Sequence, residues 1–141
     1  MILPDVNILV YAFRPHDEMS EMCRDWFESE LANDDVFGMS ELVLSAFMRV
    51  VTNPQWYPDP APTTEALEFS EWLLAKSNCL VLRPGTRFWQ IFAELCRVPG
   101  VRGNLIPDAF HAALAIESKA TFISFDGDFG RFPGLDWRRP F

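Results

Sequence analysis

Four short segments of this 141-residue chain each carry a carboxylate where an apolar run meets a helix or a turn. They are Pro4-Asp5-Val6-Asn7, Ser40-Glu41-Leu42-Val43, Asn104-Leu105-Ile106-Pro107-Asp108-Ala109 and Ile123-Ser124-Phe125-Asp126-Gly127-Asp128-Phe129. Carboxylates brought together from such distances repel, and some must take up protons. A divalent cation between them reverses that balance. Oxygen ligands without histidine or cysteine at ligand spacing favour Mg2+ or Mn2+ over zinc. Such an ion can hold a phosphodiester, lower the pKa of a bound water and stabilise the leaving oxygen. Metal-dependent phosphodiester cleavage is the chemistry this set would perform.

Each acid also has an ordinary explanation on its own. Asp5 would end a strand in a turn. Glu41 and Asp108 would sit in first helical turns, where the helix dipole stabilises a carboxylate. Asp126 and Asp128 would be turn and cap residues. Their joint position is what singles them out, and it depends on the elements that carry them.

Apolar spacing predicts a strand starting at Ile2 and ending near Asp5, a helical turn over 7–13, and a helix over 17–31. A second strand over 36–39 and a helix over 41–51 follow. Asn53-Pro54 stops that helix, and Pro58, Pro60 and Pro62 hold an extended loop. A helix over 63–75, a strand over 80–82 and a helix over 86–96 come next. Pro107 is expected as the first residue of a helix running to Lys119. A strand over 121–125, a turn over 126–132 and an edge strand over 135–137 complete the order.

Strands alternating with helices imply a parallel sheet covered on both faces. In such sheets ligands bind beyond the carboxyl ends of the strands. Asp5, Glu41, Asp108 and Asp126 all fall there, as metal ligands with a direct role in catalysis. Asp5 and Asp108 are the principal ligands. Glu41 and Asp126 hold the ion directly or through water, and help to orient the attacking water. Asn7, Asn104 and Ser124 would support a ligand or the substrate, and Asp128 is the alternate to Asp126.

The composition sets limits. One domain spanning residues 1–141 is expected, because a chain of this length buries most of its unfolded surface. The net charge of −8 argues against a nucleic-acid coat protein but not against an enzyme whose metal inverts the local field. Lys occurs only at 76 and 119, so the cations are mostly Arg. Arg14, Arg49, Arg102 and Arg131 lie near the acidic segments and could rim a phosphate-bearing substrate. The three cysteines have no metal-ligand spacing, and with no apolar run of membrane length they point to a reduced, cytoplasmic setting.

The residues in this order resemble the PIN domain, and more closely the VapC-type toxins of bacterial toxin–antitoxin pairs. The likeness rests on Asp5-Val6-Asn7 followed by Leu9-Val10-Tyr11-Ala12, on Ser40-Glu41-Leu42-Val43, and on Asn104 through Asp108-Ala109 to Ala112-Ala113-Leu114-Ala115. It closes with Ser124-Phe125-Asp126-Gly127-Asp128-Phe129 and Phe132-Pro133-Gly134-Leu135. Asp-x-Asn alone is commonplace, whereas the four blocks at these separations are specific. The resemblance implies an α/β fold of three layers, α/β/α, around a central, mostly parallel sheet of four to five strands. It implies Mg2+-dependent ribonuclease activity on an RNA substrate, inhibition by a cognate antitoxin, and a homodimer. Ser124 stands where the family often has Thr. Phe110 stands where the family often has His, and His111, one residue on, is read as a helix-face residue.

Two other functions use similar residues. A PIN-type nuclease in RNA or DNA processing would need the same acids, and a catalytically silent binding domain would be expected to have lost one. A receiver-like phosphoacceptor also gathers acids at strand ends, but it needs a Lys after a late strand, and neither Lys76 nor Lys119 is so placed. An antitoxin segment would lie over the helices bearing Trp26, Phe27, Phe47 and Trp56, unless these aromatic residues serve in plain core packing.

Overall fold

The computed structural model describes residues 1–141. Its elements run β1 (Ile2–Pro4), α1 (Val6–Phe13), α2 (Glu18–Ala32), β2 (Phe37–Met39), α3 (Glu41–Val51), α4 (Thr63–Leu74), β3 (Cys79–Val81), α5 (Phe88–Cys96), α6 (Leu105–Ser118), β4 (Thr121–Ile123) and β5 (Trp137–Arg138), with a 3-10 turn at Gly127–Arg131. The predicted order holds throughout, and the boundaries move by a few residues. Residues 7–13 form a true helix because the Asp5 side chain caps it. Helix α6 starts two residues before Pro107. Proline is tolerated there because first-turn N–H groups have no partner within the helix.

All three strand pairings are parallel, as expected for short apolar strands joined through helices. The sheet is interrupted, however. Strands β1, β4 and β5 form one ladder and β2 with β3 another. The two meet at Gly38, where an added Cβ would lie 3.4 Å from the Ile2 carbonyl oxygen and within contact of Leu82. Glycine there lets Leu82 close over the strand, since an added Cβ would lie 2.5 Å from Leu82 Cδ1 and push that side chain aside.

Alternation along the strands divides the interior into two cores. Ile123 faces a core built from α1, α2, α3 and α4, with Leu9, Phe27, Met39 and Phe47 fully enclosed. Leu3 and Phe122 face the other, with Phe88 and Leu95 of α5 and the alanines of α6. Ala109, Ala112, Ala113 and Ala115 let α6 approach the sheet closely. This is the three-layer α/β/α architecture, with five strands in its middle layer.

Trp26, Phe27, Phe47 and Trp56 do not form one surface. Phe27 and Phe47 are core residues, and Phe47 packs edge-on to Phe13 at 5.3 Å. Trp26 is half-buried, and only Trp56 is exposed. Cys23 is buried and its thiol is pushed up to about 12 by that burial, while Cys79 and Cys96 are half-buried.

Phe47→Ala should therefore lower unfolding stability by about 3–5 kcal/mol, the usual range for emptying a buried phenylalanine site. Urea denaturation followed by circular dichroism measures this. A loss below about 1 kcal/mol would show that the ring is not a core member.

Candidate active site

The site is organised around the Asp5 carboxylate. Strand β1 ends at Pro4, and the Asp5 N–H donates to the Ile123 carbonyl at 2.9 Å, fixing the end of β1 to that of β4. Asp5 Oδ1 accepts from the Val6 N–H at 2.7 Å. Its Oδ2 accepts from Asn7 Nδ2 at 2.8 Å and from Ser124 Oγ at 2.6 Å. A carboxylate has about four acceptor positions, so these three bonds leave room for one more ligand. Ser124 Oγ accepts in turn from Asn7 Nδ2 at 2.9 Å and from the Asp126 N–H at 3.0 Å. Asn7 and Ser124 thus hold Asp5. Burial raises the Asp5 carboxyl above its usual range, and the Ser124 and Val6 hydrogen bonds oppose that rise.

Asp5 opens onto a cavity of about 510 Å3 between the starts of α1 and α6 and the middle of α3. Asp108 lines the same cavity, as do Asn7, Asn104, Arg49 and Tyr11. Asn104 flanks the α6 terminus without capping it, so its side chain makes no helix hydrogen bond. The Asp108 carboxyl is raised from 3.8 to about 6, first by burial and then by the charges of Asp5, Asp126 and Asp128. Asp108, Asp5 and Asp126 therefore lie within electrostatic reach of one another.

Position separates the two acids that sequence left as alternatives. Asp126 caps the 3-10 turn, its Oδ1 accepting from the Asp128 N–H at 2.8 Å, and its charge acts on both Asp5 and Asp108. Asp128 acts on Asp108 alone, and its carboxylate is held by Arg131 at 2.6 Å.

Glu41 stands apart. Its carboxylate takes both Arg83 Nε at 2.9 Å and Arg83 Nη2 at 2.6 Å, a bidentate pair that lowers its pKa. It does not line the cavity, to which α3 contributes Ala46, Arg49 and Val50 instead. The structure thus places two of the four expected acids, Asp5 and Asp108, on the cavity, with Asp126 outside its wall but near enough for its charge to act on both. Arg83 follows β3 and nothing in the local sequence linked it to Glu41.

The expected basic rim also contracts. Arg14 is committed to Asp59 and Glu65, Arg131 to Asp128, and Arg102 does not line the cavity, leaving Arg49 as the one arginine in its wall. His111 is not on an exposed helix face. It is 4% exposed, parallel to the Phe122 ring at 6.2 Å, and its Nδ1 has no hydrogen-bond partner. Burial pushes its pKa down to about 4, so it stays neutral beside the acids. A buried histidine one helical turn from Asp108 has no signature that separates it from a surface one.

No three His, Cys, Asp or Glu side chains close around a point as a ready metal cage. A hard ion such as Mg2+ keeps several waters and usually takes only one or two protein carboxylates beside substrate phosphates, and Asp5 and Asp108 on one cavity supply two. The repulsion that raises Asp108 is what such an ion would relieve. The donor set fits it.

The family model for the PIN domain matches residues 2–135. Ribonuclease VapC43 of Mycobacterium tuberculosis is 41% identical over 141 residues, covering 99% of this chain and 95% of that protein. Ribonuclease VapC31 of the same organism is 36% identical over 140 residues, covering 99% of both. Among solved structures, Mycobacterium tuberculosis VapC20, described as a sarcin-ricin loop cleaving toxin, superposes with a TM-score of 0.71 at 15% identity, over 98% of this chain and 99% of that one. VapBC2 of Rickettsia felis, solved with a promoter DNA fragment, superposes at 0.69 with 22% identity, over 99% and 98%. At these identities the structures attest the fold.

The raised carboxyl of Asp108 has a consequence for stability. Its folded pKa of about 6 lies above the unfolded 3.8, so the folded form binds the proton more tightly. The resulting stabilisation is complete below about pH 4 and is lost as the pH rises through 6. In EDTA, Asp108→Asn should be more stable than wild type at pH 7.5, with the gap closing toward pH 4. Thermal melts across that range measure it, and a gap independent of pH would mean the carboxyl is not perturbed.

Proposed function

The chain belongs to the PIN domain family, and we propose that it is a metal-dependent endoribonuclease acting as the toxin of a toxin–antitoxin pair. Two things support this reading. The curated relatives named ribonucleases match end to end, at 36–41% identity. The observation that carries it is that Asp5 and Asp108, from opposite ends of the chain, open onto one cavity. Ribonucleases of this family generally depend on a divalent metal, and we assign Mg2+, with Mn2+ as a substitute.

When bound, the ion supplies a Lewis acid that lowers the pKa of a water and neutralises charge on the phosphate. Asp5 and Asp108 would hold it. Asn7 and Ser124 fix the Asp5 carboxylate through the bonds described above and so set its orientation. Asp126 is the third acid, and its Oδ2, free of hydrogen bonds within the chain, would orient the attacking water. Asn104 faces the cavity with its amide uncommitted and would contact the substrate. Glu41 would join only by leaving Arg83. Both partners are well exposed, at 57% and 66%, so the pair is easily opened.

The acidic surface suits a basic partner, and a cognate antitoxin with an Arg directed at the carboxylates is the proposed inhibitor. No helix is long and apolar enough to cross a membrane, and we read the protein as a cytoplasmic single PIN domain that forms a homodimer.

Purified protein should cleave RNA with Mg2+ or Mn2+, and EDTA should stop it. Asp5→Asn and Asp108→Asn should bring cleavage to background with the circular dichroism spectrum unchanged, and Ser124→Ala should cost about 10–100-fold. Gel analysis of total RNA gives the readout, and near-normal cleavage by either Asn variant removes that acid from the site. Induced expression in a bacterial host should arrest growth and Asp5→Asn should relieve it. Equal harmlessness of the two would leave a nuclease without the toxin role.

A further inference from the structure

A cavity walled by carboxylates repels the polyanion it is meant to cut, so some cation must receive the substrate. Arg49 is the one positive side chain in that wall. No carboxylate oxygen lies within the 4.0 Å of an ion pair, unlike Arg14, Arg83 and Arg131, which are all engaged. What holds Arg49 instead is an aromatic ring. Its guanidinium carbon lies 5.0 Å from the centroid of Trp56. Stacking of this kind orients the planar guanidinium while leaving its N–H groups free for phosphate oxygens.

Trp56 is placed by the turn that ends α3. The Asn53 carbonyl accepts from the Trp56 N–H at 3.1 Å and the Tyr57 N–H at 2.9 Å, and Asn53 Oδ1 accepts from the Gln55 N–H at 2.9 Å. The indole remains 52% exposed. Beyond it a second cavity of about 500 Å3 is lined by Trp56, Tyr57, Pro58 and His16. Val10 and Tyr11 border both cavities, so the second lies beside the first.

We propose that Arg49 and Trp56 form a nucleotide subsite beside the carboxylates. The guanidinium takes a backbone phosphate of single-stranded RNA, and the indole stacks a base next to the bond being cut. The inference rests on the ribonuclease reading. A cation without a carboxylate partner, set beside the acids, offers an anionic group such as a phosphate a contact that the carboxylates cannot. An exposed indole supplies a stacking platform that any unpaired base can use. Paired bases have no free face, so the subsite restricts cleavage to unpaired segments.

Fluorescence anisotropy of a fluorescein-labelled, mixed-sequence single-stranded RNA 12-mer in EDTA tests the subsite without requiring cleavage. Trp56→Ala should weaken binding about tenfold and Trp56→Phe should retain most of it. Arg49→Ala should weaken binding and reduce the salt slope by about one, whereas Arg49→Lys should keep the slope. A hairpin duplex of equal length should bind weakly and be insensitive to Trp56→Ala. Unchanged affinity in both alanine variants, or no measurable binding by wild type, overturns the subsite and leaves the patch to a protein partner. Binding that behaves as expected in a protein that never cleaves RNA would instead sink the ribonuclease reading alone.

Discussion

One hydrogen bond, from Ser124 Oγ to Asp5 Oδ2, spans 119 residues and makes the rest of the site possible. A buried carboxylate without partners would take up a proton or disrupt its surroundings. Ser124, Asn7 and the Val6 N–H replace the water that Asp5 loses, and charge-assisted bonds of this kind are about twice as strong as neutral ones. The same serine is anchored from behind, since its carbonyl accepts from the Trp137 indole N–H at 3.2 Å. The two-residue strand β5 therefore helps to fix Ser124, and through it Asp5. Parallel pairing of β1 with β4 sets the register in which Asp5 and Ser124 arrive together.

The conflict among the acids follows from the same arrangement. Asp108 is partly buried and faces the charges of Asp5, Asp126 and Asp128, offset only by Arg131, which is paired with Asp128. Residues elsewhere in the fold are better matched. Arg14 meets two acids, Asp17 closes a capping box with Ser20, and Glu117 accepts the backbone N–H groups of Gly85 and Arg87. Stability is given up at one place, where a divalent ion and a phosphate would together restore the balance.

Much of this was legible in the residues. The alternation of short apolar strands with helices predicted the parallel sheet, and positions just after strands or at helix starts predicted Asp5, Glu41, Asp108 and Asp126 at one edge, where the fold gathers all but Glu41. Periodicity is a backbone property, so it carried the architecture well. Contacts between distant side chains were not legible. Arg83 lies 42 positions from Glu41, and only the fold reveals that it draws that acid outward. The depth at which His111 and Phe47 lie was not legible for a related reason. Burial depends on what packs against a helix, which α6 and α3 do not encode by themselves. The close approach of Leu82 to Gly38 is again a tertiary contact.

The connection between α3 and α4 lies outside both cores for most of its length. It carries Pro54, Pro58, Pro60 and Pro62, and is pinned where Ala61 donates to the Val51 carbonyl at 2.8 Å and where Tyr57 and Ala61 turn inward. Prolines limit the wandering of the unfolded chain, so this segment keeps its shape without leaning on the interior. Residues between those pins can be exchanged with little disturbance to either hydrophobic layer. Relatives of this protein could therefore diverge in target choice by rewriting one surface strap while the cutting apparatus stays as it is.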